Sequence, residues 1–145
     1  TYSGGRFVSV KGESNLNKVL MFPEFTKISG TTLYVTSTPG SRNPSVFRNA
    51  TTPLKVQTKY TLKNNKITCQ SWNCKAIGNR TFYAMTSFRT SKSYKNMGVK
   101  NGPSVRAGQK VTLNYIRLGG SSYRYHITVN GKSGWVDGSE GASFR

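Results

Sequence analysis

After Ser29 the chain is built from short runs rich in Thr, Tyr, Val and Ile, broken by STPGSRNPS, KNNK, IGNRT, VKNGPS, RLGGSS and VNGKSG. Turn residues at that spacing predict strands joined by tight connections. The clearest case is YRYHITVNGKSGWV. Side chains there alternate with period two, so Tyr123, Tyr125, Ile127 and Val129 share one face, which reads as the core side. His126 and Thr128 share the other. Asn130-Gly131 is a strong two-residue hairpin turn, and Gly134-Trp135-Val136 starts the return strand. One helix candidate stands out, SNLNKVLMFPEF with Ser14 as cap, and Pro23 ends it after scarcely two turns. The pattern predicts an all-β protein of small antiparallel barrels or a sandwich.

An internal repeat is visible. GSRN-PSV at 40–46 aligns with GVKNGPSV at 98–105, at an offset of 58 or 59 residues. CKAIGNRTFYAMTS at 74–87 aligns without gaps with HITVNGKSGWVDGS at 126–139, at an offset of 52. That places Gly78-Asn79-Arg80 over Asn130-Gly131-Lys132, and Tyr83 over Trp135. Two blocks in the same order predict two copies of one unit, 33–88 and 94–139, after an extension or linker at 1–32.

Charge narrows the partners. There are 22 Lys+Arg against 4 Asp+Glu, a net charge of +18. From Phe25 to Val136 no acid occurs, while 18 of the 22 basic residues do. Such a body repels itself and calls for a polyanion: nucleic acid, teichoic acid, acidic glycan or anionic lipid. At 145 residues with 34% hydrophobic content, the core is modest. No run approaches the roughly 18 apolar residues of a membrane helix, and the start shows no signal-peptide pattern, so the sequence reads as a soluble piece of a longer chain with no membrane insertion.

SVRAGQKVTLNYIRLGGSSYRYHITVNGKSGWVDGS resembles the bacterial SH3-like (SH3b) domain. The likeness lies in the AGQKV turn into a strand, a divergent loop, a Y-x-Y-x-I-x-V strand, an N-G-K turn and a closing G-W-V. It is good over 98–139 and weaker over 33–88, where Phe82-Tyr83 replaces Gly134-Trp135 and ATTPLKVQTKYTLKNNKITCQSW departs from the pattern. The resemblance implies two SH3b-like barrels in tandem. It also implies a non-catalytic module that binds Gram-positive peptidoglycan or teichoic acid for a peptidoglycan hydrolase (a phage endolysin, bacteriocin-type lysin or autolysin), secreted or phage-delivered, with the catalytic domain on the same chain.

The residues fit binding better than catalysis. Glu13, Glu24, Asp137 and Glu140 are the only carboxylates, and no scaffold pairs them. Cys69 or Cys74 with His126 would make a nucleophile pair, but no motif surrounds them. Two thiols and one histidine fall short of a closed zinc site, so no metal or cofactor is expected. Cys69 and Cys74 are compatible with a local bridge or with two free thiols. The sequons at Asn49 and Asn79 are expected by chance. The candidate ligand-binding residues are Tyr34, Phe47, Trp72, Tyr94, Tyr115, Tyr123, Tyr125 and Trp135, which offer flat apolar faces, with Arg106 and Arg124. Trp135 reads more readily as a packed residue than as a platform. Arg42, Lys100, Lys110 and Arg117 extend the anion-pairing set. The rival is a small barrel holding single-stranded nucleic acid by stacking, although no motif of such binders is visible.

Overall fold

The computed structural model describes residues 2–3, 6–7, 23–37, 45–47, 49–50, 54–119 and 122–145. These form strands β1 (Tyr2–Ser3), β2 (Arg6–Phe7), β3 (Pro23–Ser29), β4 (Thr32–Ser37), β5 (Lys55–Lys63), β6 (Lys66–Cys69), β7 (Cys74–Ile77), β8 (Thr81–Tyr83), β9 (Phe88–Arg89), β10 (Ser104–Val105), β11 (Lys110–Gly119), β12 (Ser122–Val129) and β13 (Lys132–Asp137), with one 3-10 turn at Ser45–Phe47. The all-β, antiparallel expectation holds for these residues. The helix candidate lies outside them up to residue 22, and Pro23 opens β3, where a missing N–H is tolerated.

Nine of the strands make one sheet in the order β13-β12-β11-β7-β5-β4-β3, with β6 also on β5 and β8 also on β11. Two long strands organise it. β5 carries β4 on one edge and, in line on the other, β6 and β7. β11 carries β12 on one edge and, in line on the other, β7 and β8. Among the described residues, three two-residue turns connect neighbours, and each needs a left-handed residue. Gly30 (φ 58°) supplies it between β3 and β4, Asn64 and Asn65 (φ 51° and 58°) between β5 and β6, and Asn130 and Gly131 (φ 49° and 75°) in the predicted hairpin.

Among the described strands no closed barrel forms, which corrects the expectation of two. β7 links the halves, pairing with β5 and with β11, so the sheet runs on from one to the other. The core is shared in the same way: Val46, Phe47, Leu54, Val56 and Ala76 pack with Leu113, Ile116, Tyr125, Ile127, Val136 and Phe144. The C-terminal tail closes back on the first half, with the Phe144 N–H donating to the Val46 carbonyl at 2.8 Å and Arg145 exchanging two backbone hydrogen bonds with Tyr83. The aligned blocks also differ locally. Ser45–Phe47 is a 3-10 turn where Ser104–Val105 is a strand. Gly78 (φ 69°) makes a kink between β7 and β8, not a hairpin.

Gly134, the first residue of the GWV step, faces inward opposite Ile127. A Cβ there would lie 2.2 Å from Thr90 Oγ1 and 2.7 Å from Thr90 Cβ. Thr90 is fully buried and donates to the Pro103 carbonyl at 2.6 Å, so it cannot swing away. Gly134→Ala is therefore expected to cost about 2 kcal/mol in urea unfolding, within the usual range for overpacking. Adding Thr90→Gly should recover part of that loss, and a double variant no more stable than Gly134→Ala would refute the contact.

Candidate polyanion-binding face

Alternation assigns each strand two sides. On β5, Val56, Thr58 and Tyr60 are buried, while Lys55, Gln57 and Lys59 turn outward. On β12, Tyr125, Ile127 and Val129 are buried, and Arg124, His126 and Thr128 turn outward, as the sequence indicates. Opposed residues in a ladder share a face. The register therefore lays one outward row across the sheet: Trp135, His126, Tyr115, Lys75, Gln57 and Thr36. Beside it lies a second row, Asp137, Arg124 and Arg117, and a third, Lys59, Tyr34 and Lys27.

A bulge at Asn114, where the β11–β12 register shifts between Leu113 and Tyr115, keeps this face intact. It turns both Asn114 and Tyr115 outward, so that Leu113 and Ile116 can both be buried. Asn114 Nδ2 donates to Thr128 Oγ1 at 2.8 Å and lies 3.2 Å from His126 Nδ1. Burial lowers the His126 pKa below its ordinary value, which keeps the ring neutral at pH 7.

The aromatic groups form a continuous contact chain. Tyr115 lies 5.7 Å from His126, His126 4.9 Å from Trp135, and Trp135 5.4 Å from Tyr94. The Arg117 guanidinium sits 4.0 Å over the Tyr94 ring and donates to Asn73 Oδ1 at 2.9 Å. Arg124 donates to the Tyr94 carbonyl and pairs with Asp137 at 3.2 Å. Tyr94 is thus held over Trp135 from two sides.

The expected ligand residues divide accordingly. Tyr115 is 38% exposed, and Tyr94 and Tyr34 are half-buried on the open face, with Lys59 Nζ 5.4 Å over the Tyr34 ring. Phe47 and Tyr125 are corrected: both are buried in the core and present no ring face to a ligand. Trp135 is 6% exposed and sits beneath Tyr94, so it supports the face from below. Tyr123 is half-buried and packs against the core, and Trp72 is half-buried in the β6–β7 loop. Arg106 is exposed just before β11, apart from these rows, and Lys100 is tied to Glu140 at 2.5 Å. Lys110 is exposed on β11. Arg42 lies outside the described residues.

Lys59, Lys75, Gln57 and Asn73 were not singled out from the sequence. Lys75 and Lys59 sit on diagonal positions of the β7–β5 ladder, about 7–8 Å apart at the backbone, close enough for both ammonium groups to reach one anion. The period-two pattern of KVQTKY carries the information that would have found Lys59.

The described acid side chains, Asp137 and Glu140, are each in an ion pair with a base, so neither offsets the remaining cations. Cys74 is a buried free thiol on the inner face that accepts from Thr58 Oγ1 at 3.3 Å, and burial raises its pKa. His126 lies on the opposite side of the sheet, so the two cannot form a nucleophile and base. Cys69 donates to the Ser71 carbonyl at 3.2 Å. Among the described residues no group of three or more His, Cys, Asp and Glu could hold a metal.

No family model, curated protein or solved structure matches the chain.

Proposed function

We propose that the open face of the sheet binds an anionic polymer of the Gram-positive wall, and that the chain is the non-catalytic targeting module of a peptidoglycan hydrolase. In this reading the SH3b-like stretch 94–139 contributes β10–β13 and the first unit, 33–88, contributes β4–β8. The two join edge to edge through β7, β8 and β11 and present one extended surface to a repeating ligand. The observation that carries the proposal is the set of outward rows bearing Lys27, Lys59, Lys75 and Arg117, whose charge no described acid on the face offsets except Asp137, already paired with Arg124. A polyanion lying across these strands meets a cation on alternate strands or nearer, and gains by contacting several at once.

The ring geometry favours a wall polymer over single-stranded nucleic acid. Sequence-tolerant binding of single strands uses open aromatic platforms in series. Here His126, Trp135 and Tyr94 contact one another, and only Tyr115 is well exposed on the central row. Labelled protein mixed with purified sacculi, with and without teichoic acid, is expected to cosediment and to be released by rising salt. Failure to sediment with either preparation, together with tight binding to a single-stranded oligonucleotide, would replace this proposal with the nucleic-acid one.

A further inference from the structure

Between β5, the β6–β7 loop and β11 the open face dips into a depression of about 410 Å³. Lys59, Lys75 and Tyr115 line it together with Gln57, Gln70 and Asn73. The geometry points to a subsite for a phosphodiester whose neighbouring unit is a hydroxylated ring, that is, a sugar-substituted polyol phosphate. This rests on the wall-polymer reading above and names which polymer chemistry the face selects.

Each part answers to one group of such a ligand. Two exposed ammonium groups on diagonal ladder positions suit one phosphate, which a single lysine would hold only as a point charge. Tyr115 offers an open ring face on which the apolar side of a sugar can lie. The amides supply the mixed donor and acceptor set that hydroxyl groups need. Asn73 Oδ1 is taken by Arg117, which leaves its Nδ2 as a donor. Gln70 Nε2 donates to Thr61 Oγ1 at 3.1 Å, which leaves its Oε1 as an acceptor.

The walls are also fixed before any ligand arrives. Tyr115 is backed through His126, Trp135 and Tyr94 to Arg117, and Arg117 returns to Asn73. One unbroken chain of contacts thus holds both sides of the depression, and pre-set walls lower the ordering cost of binding. Ser71 Oγ accepts from the Asn73 N–H at 3.2 Å, which sets the loop between them. A second dibasic depression, about 470 Å³, has Lys92 and Lys132 but no aromatic wall. It provides a charge-matched control on the same protein.

The test compares poly(glycerol phosphate) bearing glucosyl substituents with the same polymer stripped of glucose, by calorimetry on the whole chain, with oligo-dT as a third probe. The glucosylated polymer is expected to bind about tenfold more tightly than the stripped one, the size of one good ring contact. Tyr115→Ala should erase that difference, with the thermal melt showing the variant folded. Lys59→Gln/Lys75→Gln should weaken both polymers by roughly tenfold or more, whereas Lys92→Gln/Lys132→Gln should weaken them by about twofold or less. Equal affinity for the two polymers, or equal losses from the two lysine pairs, would overturn the subsite while leaving wall-polymer binding in place. Binding to oligo-dT alone would overturn both.

Discussion

Phe47→Ala is expected to lower the unfolding free energy by about 3–5 kcal/mol, the usual cost of emptying a buried aromatic site. Phe47 is fully buried, 4.8 Å from Phe82, 5.2 Å from Tyr125 and 4.9 Å from Phe144 between ring centroids. It ties together a 3-10 turn near the start of the core, the β8 and β12 strands, and the C-terminal tail. At this point the tail stacks its own Phe144 ring on Phe47, and the Phe144 N–H donates to the carbonyl of Val46, the adjacent residue in the turn. Truncating the ring should therefore loosen the tail as well as leave a cavity. Against a typical domain stability of roughly 5–15 kcal/mol the loss is large, and urea unfolding monitored by tryptophan fluorescence reads it directly. Phe47→Leu, which keeps most of the volume, should lose less than half as much. If Phe47→Ala unfolds like the parent protein but no longer holds wall polymer, the ring is a ligand contact and the packing account fails.

Local chemistry explains which parts of this fold could be read from the chain. The β12–β13 hairpin follows from alternation and Asn130-Gly131, and even the assignment of Tyr125 inward and His126 outward holds. Hairpins are legible because both strands and the turn lie within a few residues. The partners of β7 are not, since Cys74–Ile77 pairs with β5 before it and β11 far after it, and nothing local sets that register. Gly-Asn pairs show the same limit. Gly and Asn supply positive φ, but whether that produces a hairpin or a kink depends on whether a third strand spans the gap. At Gly78 β11 does so, pairing with both β7 and β8. Aromatic type misled for the same reason: Phe47 and Tyr115 both lie close to turn-rich segments, and only long-range packing buries one and exposes the other. Lys59 and Lys75 come together across β5 and β7, which are not joined in sequence, so no contiguous motif marks their site.

Asp137→Asn is expected to cost roughly 2–3 kcal/mol at neutral pH and to remove a specific part of the acid sensitivity. Burial pushes this carboxyl's pKa up, but its hydrogen bonds outweigh burial and bring it down to about 2. Ser122 Oγ donates to it, Ser139 donates through its N–H at 2.9 Å and its hydroxyl at 2.7 Å, and Arg124 Nε lies at 3.2 Å. The native value lies below the ordinary value of 3.8, so as acid is added the unfolded chain takes up this proton first. The stabilisation from the ionised group, about 2 kcal/mol, is thus complete above about pH 4 and is lost as the pH falls through about 2. Other carboxylates titrate in the same window, so the informative quantity is the difference between parent and variant. Urea unfolding at pH 7, 4 and 2.5 should show that difference constant between the first two and shrinking at the third. Because Arg124 also holds the Tyr94 carbonyl, freeing it from Asp137 should loosen the Tyr94–Trp135 contact. The variant should therefore bind the glucosylated polymer less selectively even though it loses a negative charge. A difference that does not change with pH would mean that Asp137 contributes shape to the β13 terminus and not charge.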